Sequence, residues 1–258
     1  MAIKNHNIKY GLKIWSTDRA LLLGAVELFK KKRIDFIELY VVPDSLNDVG
    51  FLNELRNIPT TLHAPHSEHD FDVFNLDDSN IEIFKNQVVK TADFLDSKFI
   101  VVHAEAGDNQ EIFKKNIKKI NEERILIENM PKTGLEGEIC FAHTYQQLKL
   151  IKDAGFNICL DFSHAIKSAI SQNLDYKEFV KKLIFELEPS YFHICNGKMD
   201  NDKDEHGDLF DGEFDIKWIK EILLKLSEKK DIYLVFETPK GKNGLENDIK
   251  NMKYFLNI

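Results

Sequence analysis

The residues of this chain that can do chemistry are mostly histidines and carboxylates, and their spacing suits a divalent metal. From Tyr191 to Asp215 the sequence reads YFHICNGKMDNDKDEHGDLFDGEFD. An apolar strand ends in His193 and gives way to a polar loop carrying an Asp204-x-His206 pair. Neutral imidazole nitrogen and carboxylate oxygen are the ligands that zinc and its neighbours take, at about 2.0–2.2 Å. The same stretch holds Asp200, Asp202, Asp204, Glu205, Asp208, Asp211, Glu213 and Asp215 against Lys198 and Lys203 alone. Like charges at this density repel unless solvent or cations screen them, so the whole loop reads as the largest piece of a metal site. Comparable groups stand elsewhere: His63 in LHAPH, His103 in VVHAE, Glu128 in LIENMP, Asp161 and His164 in CLDFSH, and Glu237 in VFETP.

Each of these has a plain structural explanation. A histidine at a strand end is ordinarily a hydrogen-bonded core residue, and a carboxylate there caps the next helix or pairs with a lysine. Asp161 with His164 would make a local pair, and Asp204-x-His206 an Asx turn. Those explanations must hold independently at six consecutive strand ends. Buried charges are costly unless paired or bound to metal, so the set as a whole is expected to form a metal centre. His66 and His69, just past the third strand, are expected to touch substrate. His6 and His143 are expected at the surface. Asn129 is expected to orient its neighbour Glu128. Lys13 and Trp15 end the first strand, and Glu38 lies inside the second.

Positioning these groups falls to a regular alternation. Strands are expected at 8–15, 34–42, 60–65, 98–105, 124–131, 156–164, 191–197 and 232–238. Helices are expected at 17–33, 46–56, 78–95, 110–121, 144–153, 215–229 and 245–256, with helical segments between strands six and seven. The strands are short, continuous, β-branched runs, as in strands buried on both faces, and the helices repeat their apolar residues at 3.6. Eight such units predict a closed parallel (β/α)8 barrel forming one domain over 1–258. An open doubly wound sheet is the alternative, but no Gly-rich phosphate turn follows the first strand.

Composition narrows the field. With 258 residues and 43% hydrophobic content, the chain can build a large core. No apolar run approaches the length of a membrane span, and the N-terminus lacks a signal-peptide pattern. Cys140, Cys159 and Cys195 are widely spaced and odd in number, which implies reduced, buried thiols and a cytoplasmic protein. A net charge of −8 argues against a polyanion partner.

The motifs from LHAP to VFETP resemble the xylose-isomerase-like TIM-barrel superfamily, in particular AP endonuclease family 2, and their ligand pattern is that of endonuclease IV. The resemblance implies up to three zinc ions, with Mn, Fe or Mg as alternatives. It assigns His63, His103 and Glu128 to the first ion. It assigns Glu128, Asp161, His193 and Glu237 to the second, and His164, Asp204 and His206 to the third. It implies hydrolysis of phosphoesters, with Glu128 and Glu237 catalytic and damaged DNA or a small phosphorylated molecule as substrate. The family's Gly/Ser-rich segment after strand one is absent, and the strand-three loop carries Glu68, Asp70 and Asp72 without a Lys or Arg. Duplex binding draws on cationic contacts to phosphates, so these loops favour a small substrate. FIELY in strand two resembles instead the sugar isomerase and epimerase branch. That alternative implies one divalent ion and a Glu128/Glu237 proton-transfer pair on a sugar or sugar phosphate. No membrane and no obligate protein partner is expected.

Overall fold

The computed structural model describes residues 7–46, 49–69, 71–104, 106–134, 137–241 and 244–258, without the side chains of 49–51. His6, Asp70 and Glu105 lie outside the described residues. Eight parallel strands close in sequence order: β1 (Ile8–Trp15), β2 (Phe36–Tyr40), β3 (Thr60–His63), β4 (Ile100–His103), β5 (Ile125–Glu128), β6 (Asn157–Asp161), β7 (Tyr191–Ile194) and β8 (Ile232–Phe236). The ring is completed by β1 pairing with β8, in register from Ile8↔Ile232 to Leu12↔Phe236. The expected (β/α)8 barrel is therefore the observed fold, and the open sheet is excluded.

The helices are α1 (Arg19–Lys30), α2 (Val49–Leu55), α3 (Asp78–Ile83), α4 (Lys90–Leu95), α5 (Gln110–Ile120), α6 (Tyr145–Asp153), α7 (Phe162–Ser171), α8 (Tyr176–Leu187), α9 (Ile216–Ser227) and α10 (Glu246–Asn257). The long helix expected over 78–95 is present but changes pitch, with a π-helical stretch, Phe84–Val89, joining α3 to α4. Helix starts follow side-chain acceptors, which satisfy amides that have no partner inside the helix. Asp18 caps α1, Asp215 caps α9, and Thr144 with Gln147 forms a full capping box on α6.

The strands are shorter than the apolar runs suggest. Strand six stops at Asp161, whose side chain accepts from the His164 amide, so residues 162–164 open α7 instead of extending β6. Two apolar layers result. The larger lies between strands and helices. The smaller fills the barrel with Phe36, Val101, Leu126, Cys159, Tyr191, Tyr233 and Val235. Gly11 makes room for it, since a Cβ there would stand 2.5 Å from the Phe36 ring. Above this apolar plug the interior turns polar, and the candidate site begins. No helix among the described residues is long and apolar enough to cross a membrane.

Candidate metal centre

Strand register brings the polar groups together level by level. Tyr40 lies beside His63, His103 beside Glu128, and Asp161 beside His193. Parallel strands in a barrel end on one rim, so residues far apart in sequence meet at one mouth. All nine expected ligands do so. His63, His103 and Glu128 form one group, Glu128, Asp161 and His164 a second, and His164, Asp204 and His206 a third, with ligand atoms within 4.8 Å of one another in each. Glu237 joins through His193, whose Nδ1 lies 2.8 Å from Glu237 Oε1 and 3.0 Å from Glu128 Oε1.

The outer nitrogens of three imidazoles are already committed. His63 Nδ1 donates to the Ala64 carbonyl at 2.8 Å, and His164 Nδ1 to the Asn129 carbonyl at 2.8 Å. His193 Nε2 donates to Glu38 Oε2 at 2.9 Å. Each ring then turns its other nitrogen inward, toward a carboxylate oxygen. His63 Nε2 and His103 Nε2 both stand 3.2 Å from the one oxygen, Glu128 Oε2. His164 Nε2 stands 3.3 Å from Asp204 Oδ2. A lone pair set against an anion is repulsive, so either a proton or a metal ion must lie between each such pair. Ligand atoms bound at about 2.0–2.2 Å to a shared ion stand roughly 3–3.5 Å apart, the spacing these pairs show.

Titration points the same way. Burial opposes charging His164, but Asp161 and Asp204 hold its pKa well above the usual imidazole range. His193 is likewise raised against burial, by Cys159, Glu237, Glu38 and Glu128. His206 is pushed up to about 9, Asp204 and Glu237 outweighing its burial. Glu128 is buried, yet His193 and His103 hold it well below its ordinary value. Asp161 moves the other way, raised to about 6 by burial and by the carboxylates Glu128, Glu237 and Asp204, against the pull of His164. Its Oδ2 is buried with no hydrogen-bond partner. In the absence of a metal, protons gather where divalent cations would neutralise the carboxylates. The donor set and the orphaned oxygen fit such ions.

The groups around this centre were less legible. Asn129 does not orient Glu128. Its side chain bonds the backbone of Asp161 twice, at 3.0 Å and 2.7 Å, and so ties β5 to β6. Glu38 reaches His193 and the Tyr191 hydroxyl, a role the pattern of strand two does not announce. Lys13 ends in a 2.7 Å ion pair with Glu237. Cys159 lies within reach of Glu128 and His193, but burial raises its thiol well above the usual range. All three cysteines are buried, and none forms a disulfide.

The acidic loop departs most from expectation, because of its eight acids only Asp204 joins the cluster. Glu205 binds Lys167, Asp208 accepts from Asn247 and Asn251, Asp202 accepts from Thr133, Glu213 accepts from the Met199 amide, and Asp215 caps α9. Most of these partners lie outside the loop, so the acids tie it to the neighbouring elements.

A cavity of about 580 Å³ opens onto the centre, lined among others by Trp15, Tyr40, His66, His103, His164, Asp204, His206 and Glu237. His66 is stacked on His103 with ring centroids 5.1 Å apart, and burial with the neighbouring His103 and His63 lowers its pKa to about 2, so it stays neutral. His69 stands behind this wall, 3.1 Å from the Tyr40 hydroxyl. Trp15 stacks on Tyr40 and keeps 42% of its surface exposed. His143, expected at the surface, is half-buried and donates to the Cys140 carbonyl.

Solved structures share this architecture. Endonuclease IV from Thermus thermophilus superposes with a TM-score of 0.71 over 96% of this chain and 98% of its own, at 17% identity. The 3-keto-D-glucoside 4-epimerase from E. coli, in its apo form, gives 0.68 over 97% and 100%, at 13% identity. An AP endonuclease, family 2, from Brucella melitensis gives 0.66 over 92% and 96%, at 15% identity. No curated protein matches by sequence. Identities this low establish the shared fold. The sequence model of the xylose isomerase-like TIM barrel matches residues 23–255, nearly the whole ring with all nine expected ligands, and the chain belongs to that family.

Proposed function

We propose that this protein is a metal-dependent phosphoesterase with a multinuclear, zinc-type centre acting on a small phosphorylated substrate. The observation that carries this reading is the His164–Asp204–His206 group standing against the Glu128 groups. Nine nitrogen and oxygen donors exceed what one octahedral ion can use. His63, His103 and Glu128 would hold one ion, Glu128, Asp161, His193 and Glu237 a second, and His164, Asp204 and His206 a third. Such ions supply Lewis-acid charge stabilisation and lower the pKa of water toward neutrality.

The chain's own groups complete the chemistry. Glu128 is shared between His63, His103 and His193 and so couples the clusters. Glu237 is pinned by Lys13 and His193, with Oε2 turned toward His206 at 3.4 Å, where it orients an attacking water at the cavity floor. Neutral His66 and the Trp15–Tyr40 face contact the body of the substrate. Of the cavity's lysines, Lys13 is paired with Glu237 and Lys240 with Asp248, while Glu68 stands at the mouth. With that charge balance, the substrate's negative charge is concentrated at the ions, as in a small phosphoester. Zinc-loaded protein is therefore expected to cleave small phosphodiesters or phosphomonoesters and to hold more than one ion per chain. One ion per chain, with no cleavage of these esters or of abasic-site DNA, would remove the reading.

A second reading is a sugar isomerase or epimerase with a single divalent ion. Glu128, Asp161, His193 and Glu237 are all buried and would supply a ligand set for one ion without the third group, which supports it. Glu128 and Glu237 would then shuttle a proton beside a carbonyl. Solvent deuterium entering a sugar next to its carbonyl is the outcome that would establish this reading over hydrolysis.

A further inference from the structure

The Asp204–His206 loop reaches the rim because something beneath holds it, and that group is Lys167. This residue lies on α7, one turn beyond His164, with a side chain 0% exposed to solvent. Its ammonium meets the Lys198 carbonyl at 2.8 Å, the Asn201 carbonyl at 3.2 Å, Asn201 Oδ1 at 3.0 Å and Glu205 Oε2 at 3.0 Å. All four acceptors belong to residues 198–205. A buried lysine is costly unless its charge and its three protons are satisfied, so the loop can close only in the shape that wraps the ammonium. Glu205 reinforces that shape by accepting from the Lys198 amide at 2.6 Å.

Consecutive residues then face opposite ways. Glu205 turns down to Lys167, while Asp204 turns up to His164, His206 and the Ser163 hydroxyl. His206 follows in a left-handed conformation, φ 44°, that turns its ring back toward Asp204. Two residues on one helix thus grip the loop, His164 at the ligand end and Lys167 at the base.

We propose, on the strength of the multinuclear reading above, that Lys167 is a positioning residue that assembles the third cation site before any cation arrives. It touches none of the nine donors. Its absence would leave the sites around Glu128 intact and scatter Asp204 and His206.

The test compares wild-type protein with Lys167→Met and Glu205→Gln. Each is loaded with zinc and dialysed, and its ion content and stepwise affinities are measured by elemental analysis and calorimetry, with circular dichroism and melting curves alongside. Wild type is expected to hold three ions. Lys167→Met should keep two and bind the remaining one about 10–100-fold more weakly, the cost typical of removing a group that orients ligands. Glu205→Gln, altered on the loop side at a part-exposed position, should fold as wild type and weaken the same ion by a smaller factor. If Lys167→Met does not fold, Glu205→Gln together with Asn201→Ala decides the matter. Variants that hold the third ion as tightly as a three-ion wild type overturn the proposal while leaving the multinuclear reading intact. Equal weakening of every ion also overturns it, since that marks a merely structural role. Wild type holding a single ion overturns the multinuclear reading and Lys167's assignment together.

Discussion

At Asp161 one carboxylate oxygen caps α7 and the other meets no donor, although the group is fully buried. In the metal-free protein its pKa is raised to about 6 by burial and by the neighbouring carboxylates. The unfolded chain releases this proton near its ordinary value of 3.8. The folded state therefore holds a proton that the unfolded state has lost between those two values, and above about 6 ionised Asp161 opposes folding. Asp161→Asn is accordingly expected to melt at or above wild type when both are stripped of metal at pH 7–8. The difference should vanish below about pH 4, and the variant should bind metal far more weakly. A stripped variant that melts well below wild type at pH 8 would contradict this account. The types of the nine donors, and the strand-end positions of most of them, were legible in the sequence, because a polar residue closing an apolar run has few places to go. Their partners were not. Glu38 meets His193 across 155 residues, and nothing in FIELY encodes that distance.

Among the elements, the long β7–α9 connection is the one whose internal bonding sets where Asp204 and His206 stand. Asn196 sits at its root, fully enclosed. Its side chain donates to the Leu209 carbonyl and accepts from the Gly197 and Phe214 amides, while its backbone pairs with Gly207. Gly212 closes over it, and a Cβ there would collide with the Asn196 side chain. Asn196→Ala strands these groups at about 1–3 kcal/mol for each one left unsatisfied. Urea denaturation should show the loss, and zinc affinity at the proposed His164–Asp204–His206 site should fall with it. Thr144→Ala offers the contrast. It removes the capping box of α6, away from the rim, and should cost about 1 kcal/mol with ion content unchanged. Helix positions could be read in advance, being local, but caps only to within a residue: the sequence suggests Thr17 and Asp78 where Asp18 and Asp77 cap the helices. The loop's acidic excess was read as a sign of bound cations, but charge counts carry no direction, and only the folded path shows Asp204 facing up and Glu205 facing down.

For the molecule as a whole, ions that bind only the folded barrel must stabilise it. An ion present at a hundred times its dissociation constant adds about 2.7 kcal/mol, or roughly 5–10 °C in melting temperature for a chain of this size. Chelation should remove that increment and added zinc restore it. Ligands bind metal in their deprotonated forms, and His206 keeps its proton to about 9 and Asp161 to about 6. The zinc-induced gain should therefore be larger at pH 8 than at pH 6, with proton release visible in calorimetry as a dependence on buffer. The barrel itself was the most legible property of the sequence, since eight apolar runs alternating with amphipathic ones admit few topologies. One consequence of the β1–β8 seam lies in time. His63 and Glu237 stand on β3 and just past β8, and the lysine that steadies Glu237 arrives from β1. No partial stretch of the polypeptide owns a finished cradle, so zinc capture in a refolding experiment should lag behind secondary structure and serve as a clock for the moment the cylinder seals.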